Sequence, residues 1–200
     1  MSSVRTLTLA DAAWPRTGAL QNAMLVAGAS LITALAAQIA IPVPWSPVPI
    51  TGQTFAVLLT GAMLGARRAF AAQVLYLAEG ALGLPVFAAS AAGVVTLVGP
   101  TGGYLLAFPL AAALVGALAE RGWDRRFPTM MAAMLLGSIV IFALGLIGLE
   151  RFVPIPQLFA SGLWPFIPGD LIKSALAALA FPAAWRAARA GARRPRDGGA

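Results

Sequence analysis

Six apolar runs, at about residues 19–40, 51–66, 69–83, 102–119, 129–149 and 167–187, are separated only by short clusters of Pro, Gly and charge. A bilayer-crossing helix needs roughly 20 mostly apolar residues, with latitude for tilt and thin regions. The runs therefore predict an all-α polytopic membrane protein, with six transmembrane helices in a single bundle. Composition agrees, with 60% hydrophobic and 10% charged residues against about a quarter charged in soluble domains. The second and third runs are short, and a four-span bundle with two non-crossing core helices is the alternative. The chain divides into a lead (1–18), a six-helix membrane domain (19–187) and a basic tail (188–200). The lead does not read as a cleaved signal peptide, because Asp11, Pro15 and Arg16 stand where an apolar segment would be required.

Arginine placement orients the bundle. Arg5 and Arg16 lie in the lead, Arg67 and Arg68 between spans 2 and 3, and Arg121, Arg125 and Arg126 between spans 4 and 5. The tail adds Arg186, Arg189, Arg193, Arg194 and Arg196, whereas the alternate loops hold only Arg151. Cytoplasmic loops are enriched in Lys and Arg, so both termini are expected on the cytoplasmic side of the cell inner membrane. The tail suits anionic lipid headgroups better than a nucleic acid, so membrane lipids are expected partners and nucleic acid is not.

Neither Cys nor His occurs. Disulfides, thiol chemistry, Cys/His metal sites and a histidine base are thereby excluded, and no cofactor, metal site or catalytic residue is expected. The glycines of GPTGGY, Gly99 to Tyr104, lack the GK[ST] continuation of a nucleotide-binding loop. The chain reads as a non-enzyme.

Charge inside the apolar runs is scarce and therefore informative. In WPFIPGDLIKSALAALAFP, Asp170 falls in the first turn of span 6, where the positive helix end favours a carboxylate. Lys173, the one lysine, follows at i+3, where the two side chains can meet. Burying a lysine in a membrane costs at least about 2.5–3.5 kcal/mol, and such residues usually mark substrate or ion paths. A structural ion pair is the plainer alternative. Glu79 shares a helical face with Gln73, Tyr76 and Gly80 and faces inward, toward either a substrate or a neighbouring helix. The loop IPVPWSPVPITGQTF is expected to be extended and stiff, with Thr51 as N-cap of span 2. In span 1, Ala19, Ala23, Ala27, Ser30, Ala34 and Ala37 form a small-residue stripe, which suits either a docking partner or internal packing.

Taken together, VPITGQTFAVLLTGAMLGARR, YLAEGALGLPVFA, GPTGGYLLAFPLAAALVG and PFIPGDLIKSALAALAF resemble the BioY family of biotin transporter subunits, in order and spacing over residues 20 to 182. The resemblance implies a substrate-binding (S) subunit of an energy-coupling-factor (ECF) transporter that captures biotin from outside. It maps the family's pocket element onto Gly169, Asp170 and Lys173, and makes Glu79, Phe87, Ser90 and Tyr104 further candidates for substrate binding. The chain departs from the family after GLPVF, where AASAAG leaves Ser90 as the polar substitute. Biotin's ureido ring offers two N–H donors and a carbonyl, which Asp170 and Lys173 complement; Lys173 could equally pair with the ligand's carboxylate. Trp45, Phe87, Trp164 and Phe166 suit its apolar remainder. The implied partners are a transmembrane coupling protein and two ATP-binding-cassette (ABC) ATPases, with Ala23, Ala27 and Ala34 as the docking face. Alternatives are a self-sufficient homo-oligomeric biotin carrier and an S subunit for another vitamin.

Overall fold

A computed structural model describes residues 7–14 and 18–192. Arg5, Arg16, Arg193, Arg194 and Arg196 lie outside the described residues, as does the side chain of Arg189. The fold is mostly helical. Among the described residues, α2 (Ala19–Ala37), α6 (Gly102–Ala119), α7 (Phe127–Leu149) and the stretch Ile155–Ala188 are long and apolar enough to cross a membrane. That last stretch contains α8 (Leu158–Gly162) and most of α9 (Ile167–Ala192). Two shorter helices, α3 (Gln53–Leu64) and α4 (Ala66–Ala81), correspond to the two short runs. At 1.5 Å per residue they span only about 18 and 24 Å.

The core is centred on α6, which packs against α3, α4 and α7. Close helix approach depends on residues without a Cβ. At Gly61 a methyl would press on the Ala112 backbone, and at Gly116 on the backbone of Gly65 and Ala66. Small residues on both sides thus let α6 sit against α3 and against the turn into α4.

That turn is the single residue Gly65, whose φ of 81° is costly for any residue with a side chain. Arg67 and Arg68 consequently lie in the first turn of α4 rather than in a loop. Positive charge is disfavoured at a helix N-terminus, and acidic groups offset it. Glu120 Oε1 accepts the Ala66 N–H at 3.0 Å, and Arg68 Nη1 meets Asp11 Oδ1 at 2.6 Å. Asp11 belongs to the short α1 (Leu9–Ala13), which opens on a Thr8/Asp11 capping box. At the same end the Trp185 indole N–H donates to buried Asp124. Arg125 lies 3.9 Å over the Trp185 ring and donates to the Leu7 carbonyl. Burial pushes the Asp124 carboxyl above its ordinary value, against the pull of Trp185 and Arg125. Arg67, Arg68 and Arg125 thus gather beside residues 7–11 at one end of the bundle.

The opposite end departs from an all-helical expectation. The proline-rich loop is extended, as expected, but it also pairs with itself. β1 (Ala40–Val43) and β2 (Ser46–Thr51) form an antiparallel hairpin with Ala40 opposite Thr51 and Val43 opposite Ser46. Prolines 42, 44, 47 and 49 lack an N–H, and the paired positions, Ala40–Thr51, Ile41–Ile50 and Val43–Ser46, all fall on other residues. Thr51 ends β2 and is not the helix cap. Gly52 takes that place with no side-chain bond, and the Thr51 hydroxyl donates to Gln53 Oε1 at 3.0 Å. The hairpin is moored to α8, since the Ser46 hydroxyl donates to the Ser161 carbonyl at 2.7 Å.

The small-residue stripe of α2 is divided along its length. Ala19, Ala23 and Ala27 are exposed, whereas Ser30, Ala34 and Ala37 are buried. Ala34 therefore packs internally and is no part of an open docking face.

Candidate functional site

A cavity opens at the hairpin end, walled by β2, the first turn of α3, residues 87–101 with the short α5 (Val94–Leu97), and the ends of α6, α7 and α9 nearest the hairpin. Its lining is mainly apolar: Val48, Pro49, Ile50, Ala88, Ala91, Leu105 and the rings of Phe87, Tyr104, Phe108, Phe142 and Phe166. The rings form two groups. Tyr76, behind the wall, lies edge-on to Phe87 at 5.5 Å and stacked with Phe108 at 6.4 Å. Phe166 lies between Tyr104 and Phe142, at 6.4 and 6.3 Å. These spacings favour ring pairs and tie the rings of each group together.

Polar groups are few. Asp170 and Lys173 both line the cavity, as the sequence predicts, but they do not form the expected ion pair. Ion pairs form elsewhere, at Arg68–Asp11 and Arg125–Asp124, but not between Asp170 and Lys173. Asp170 Oδ1 accepts from the Ser138 hydroxyl of α7 at 2.8 Å, and Lys173 Nζ donates to the Thr51 carbonyl at 2.7 Å. Residues three apart on a helix point about 60° apart around its axis. Here one reaches α7 and the other reaches the hairpin. Each charge therefore retains unused hydrogen-bonding capacity at the cavity.

Gln53, Thr54, Thr96 and Thr101 complete the polar lining. Gln53 is buried, its Nε2 donating to the Tyr76 hydroxyl, which in turn donates to the Val86 carbonyl at 3.0 Å. This chain of bonds connects the hairpin end, α3, α4 and the segment that carries Phe87.

The other expected residues divide. Phe87 and Tyr104 line the cavity, and the Tyr104 hydroxyl donates to the Gly162 carbonyl at 2.7 Å. Glu79 does not line it. Its Oε2 accepts from the Ser30 hydroxyl of α2 at 2.6 Å, so it joins two helices. Ser90 is exposed and outside the lining, and both its N–H and hydroxyl donate to Gln38 Oε1 at 3.1 Å. Ala89 and Ser90 have φ of 54° and 59°, a left-handed pair that costs each residue about 1–2 kcal/mol. The bonds to Gln38 hold that turn. Phe166 contributes to the cavity as expected, whereas Trp45 and Trp164 are exposed.

Sequence reasoning missed Ser138 and Gln53. Gln53 stands in a quoted motif, and a polar side chain opening an apolar helix was its available signal. Ser138 is one hydroxyl within a long apolar helix, and only the fold places it against Asp170.

The chain resembles known proteins along most of its length. The profile of the BioY family matches residues 6–190. A probable biotin transporter BioY from Pyrococcus horikoshii is 39% identical over 155 residues, covering 78% of this chain and 90% of the relative. The biotin transporter BioY of Thermotoga maritima is 42% identical over 140 residues, covering 70% and 82%. The crystal structure of the S-component for biotin from an ECF-type ABC transporter superposes with a TM-score of 0.72 at 25% identity, covering 84% of this chain and 92% of that one. With the family profile spanning nearly every described residue and these relatives matched over most of their own length, the chain belongs to the BioY family.

Proposed function

We propose that this protein is the biotin-capturing S subunit of an ECF-type transporter in the cytoplasmic membrane, a carrier subunit and not an enzyme. One observation carries the reading: a carboxylate and an ammonium stand one helical turn apart in an aromatic cavity, each held by a different partner. A cyclic urea fits such a pair. Its N–H donates to the Asp170 carboxylate and its carbonyl accepts from Lys173, while the fused ring and alkyl chain lie between Phe87, Phe108 and Phe166. The relatives named above support biotin as the ligand.

In this reading α2, α3, α4, α6, α7 and α9 all cross the bilayer. The two short helices run between the arginine end and the hairpin end, and the hairpin and residues 82–101 fill the remaining depth. The arginine end, with both termini, faces the cytoplasm. The membrane domain comprises residues 19–187, between the lead and a tail that meets anionic lipid. A transmembrane coupling protein and two ABC ATPases supply the energy, and the exposed half of the α2 stripe, Ala23 and Ala27, receives the coupling protein.

The test is calorimetric titration of biotin and a panel of other vitamins into the purified protein. Saturable binding of biotin alone is expected, and no binding, or preference for another vitamin, would overturn the assignment. Because the chain lacks cysteine, Trp45→Cys should react with an impermeant thiol reagent added to intact cells. Labelling only after lysis would refute the orientation.

A further inference from the structure

Two opposite charges at i and i+3 on a helix ordinarily meet, and a met pair has little left for a ligand. Here something holds them apart. Ser138 is 3% exposed, in a helix otherwise almost wholly apolar. A buried helical hydroxyl ordinarily donates to a carbonyl one turn back on its own helix. Thr33 does so to Ala29, and Thr60 does so to Ala56 and Val57, whereas buried Ser30 reaches across to the Glu79 carboxylate. Ser138, like Ser30, donates across the helix interface, to Asp170 Oδ1. With a single proton it occupies one carboxylate oxygen, and Oδ2 makes no hydrogen bond among the described residues. On the other side, the Thr51 carbonyl draws Lys173 toward the hairpin.

We propose that Ser138 is a positioning residue for ligand recognition: its hydroxyl turns the Asp170 carboxylate so that Oδ2 faces the cavity and is not spent on Lys173. This rests on the biotin reading above, in which the group meeting Oδ2 is a ureido N–H. Ser138 itself touches no ligand. Its effect is carried entirely by the orientation of Asp170.

The test compares Ser138→Thr with Ser138→Val, two side chains of one shape that differ only in the hydroxyl, with Ser138→Ala as the truncation. Biotin affinity is measured by calorimetry on the full chain in detergent, and thermal unfolding without ligand reports folding. Hydrogen bonds to charged groups are worth enough to change affinity about tenfold to a hundredfold. Ser138→Thr should bind biotin at least about tenfold more tightly than Ser138→Val, and Ser138→Ala should be weaker than the parent by a similar factor. A merely structural role predicts equal binding by the Thr and Val variants, and that result overturns the proposal. If neither β-branched variant folds, Ser138→Ala decides, and parental affinity in that variant overturns it as well. A parent that binds no biotin refutes the functional reading instead, and this proposal falls with it.

Discussion

Replacing Lys173 by Met keeps a long unbranched side chain and removes only the ammonium, so the change separates a ligand-binding charge from a structural one. The structure gives different magnitudes for fold and ligand. For the fold, the loss is the charged hydrogen bond from Nζ to the Thr51 carbonyl, worth about 1.5–3 kcal/mol. Against it stands the cost of keeping an ammonium within the membrane, at least about 2.5–3.5 kcal/mol. The terms oppose and largely offset each other, so ligand-free stability should change by no more than about 2 kcal/mol. Breaking a direct buried ion pair would cost about 3–5 kcal/mol, but no such pair joins Lys173 to Asp170 here. For the ligand nothing offsets the loss, and a missing charge-assisted bond should raise the biotin Kd by about 10- to 150-fold. The assay combines thermal unfolding without ligand and calorimetric titration of biotin, on parent, Lys173→Met and Lys173→Arg. The arginine variant should also bind poorly, since a planar fork does not replace a compact ammonium. A Lys173→Met protein that binds biotin like the parent refutes the assignment of the site. One that loses more than about 3 kcal/mol of stability restores the structural ion pair.

Three further outcomes are expected. Gly80→Ala would place a methyl within the Phe87 ring; it should cost about 1–3 kcal/mol of stability as an overpacked site and weaken biotin binding by driving Phe87 into the cavity, and unchanged binding would remove Phe87 from the site. Ala34→Leu should destabilise the isolated protein by a similar overpacking cost, whereas exposed Ala27→Leu should leave stability and binding intact and impair only ATP-driven uptake in vesicles with the coupling module added; concentrative uptake by the chain alone, unaffected by ATP, would instead favour a self-sufficient carrier. Asp11 is pushed up by burial, but hydrogen bonds from Arg68 and Thr8 and the charge of Arg68 outweigh that and hold its carboxyl below the ordinary value. A lowered folded value gives stability that is present above the unfolded pKa and lost as pH falls through the folded one, so parental melting temperature should fall below about pH 4 through a component that Asp11→Asn lacks, and identical pH profiles would refute the contribution.

The apolar runs fixed the helical class because a chain of this composition has few ways to satisfy its backbone in lipid. Arginine placement anticipated which described turns share an end, and the rarity of intramembrane charge singled out Asp170 and Lys173, both of which line the cavity. What was not legible was the destination of each hydrogen bond. An i, i+3 spacing says that two side chains can meet, not that Ser138 and the Thr51 carbonyl compete for them. Glu79 shows the same limit, because helical periodicity gives a direction but not whether Ser30 or a cavity lies along it. Alternating prolines signalled extended chain at residues 41–50, yet whether that chain pairs with itself depends on which positions come to face each other. The α2 stripe was uniform as sequence and divided as structure, since burial of its second half comes from neighbouring helices that no local pattern encodes.

The lysine's partner belongs to the main chain, and this sets how the site can be altered. Because Lys173 bonds the Thr51 carbonyl and not a side chain, replacing the side chain at position 51 leaves that acceptor in place. Only a change in the path of the chain moves it. The carbonyl's position follows from the pairing of Ala40 with Thr51, so adding or deleting a residue in the hairpin would shift the acceptor while leaving every cavity side chain unmutated. Retuning this protein toward a ligand with a differently spaced donor and acceptor is therefore a problem of loop length before it is one of residue choice.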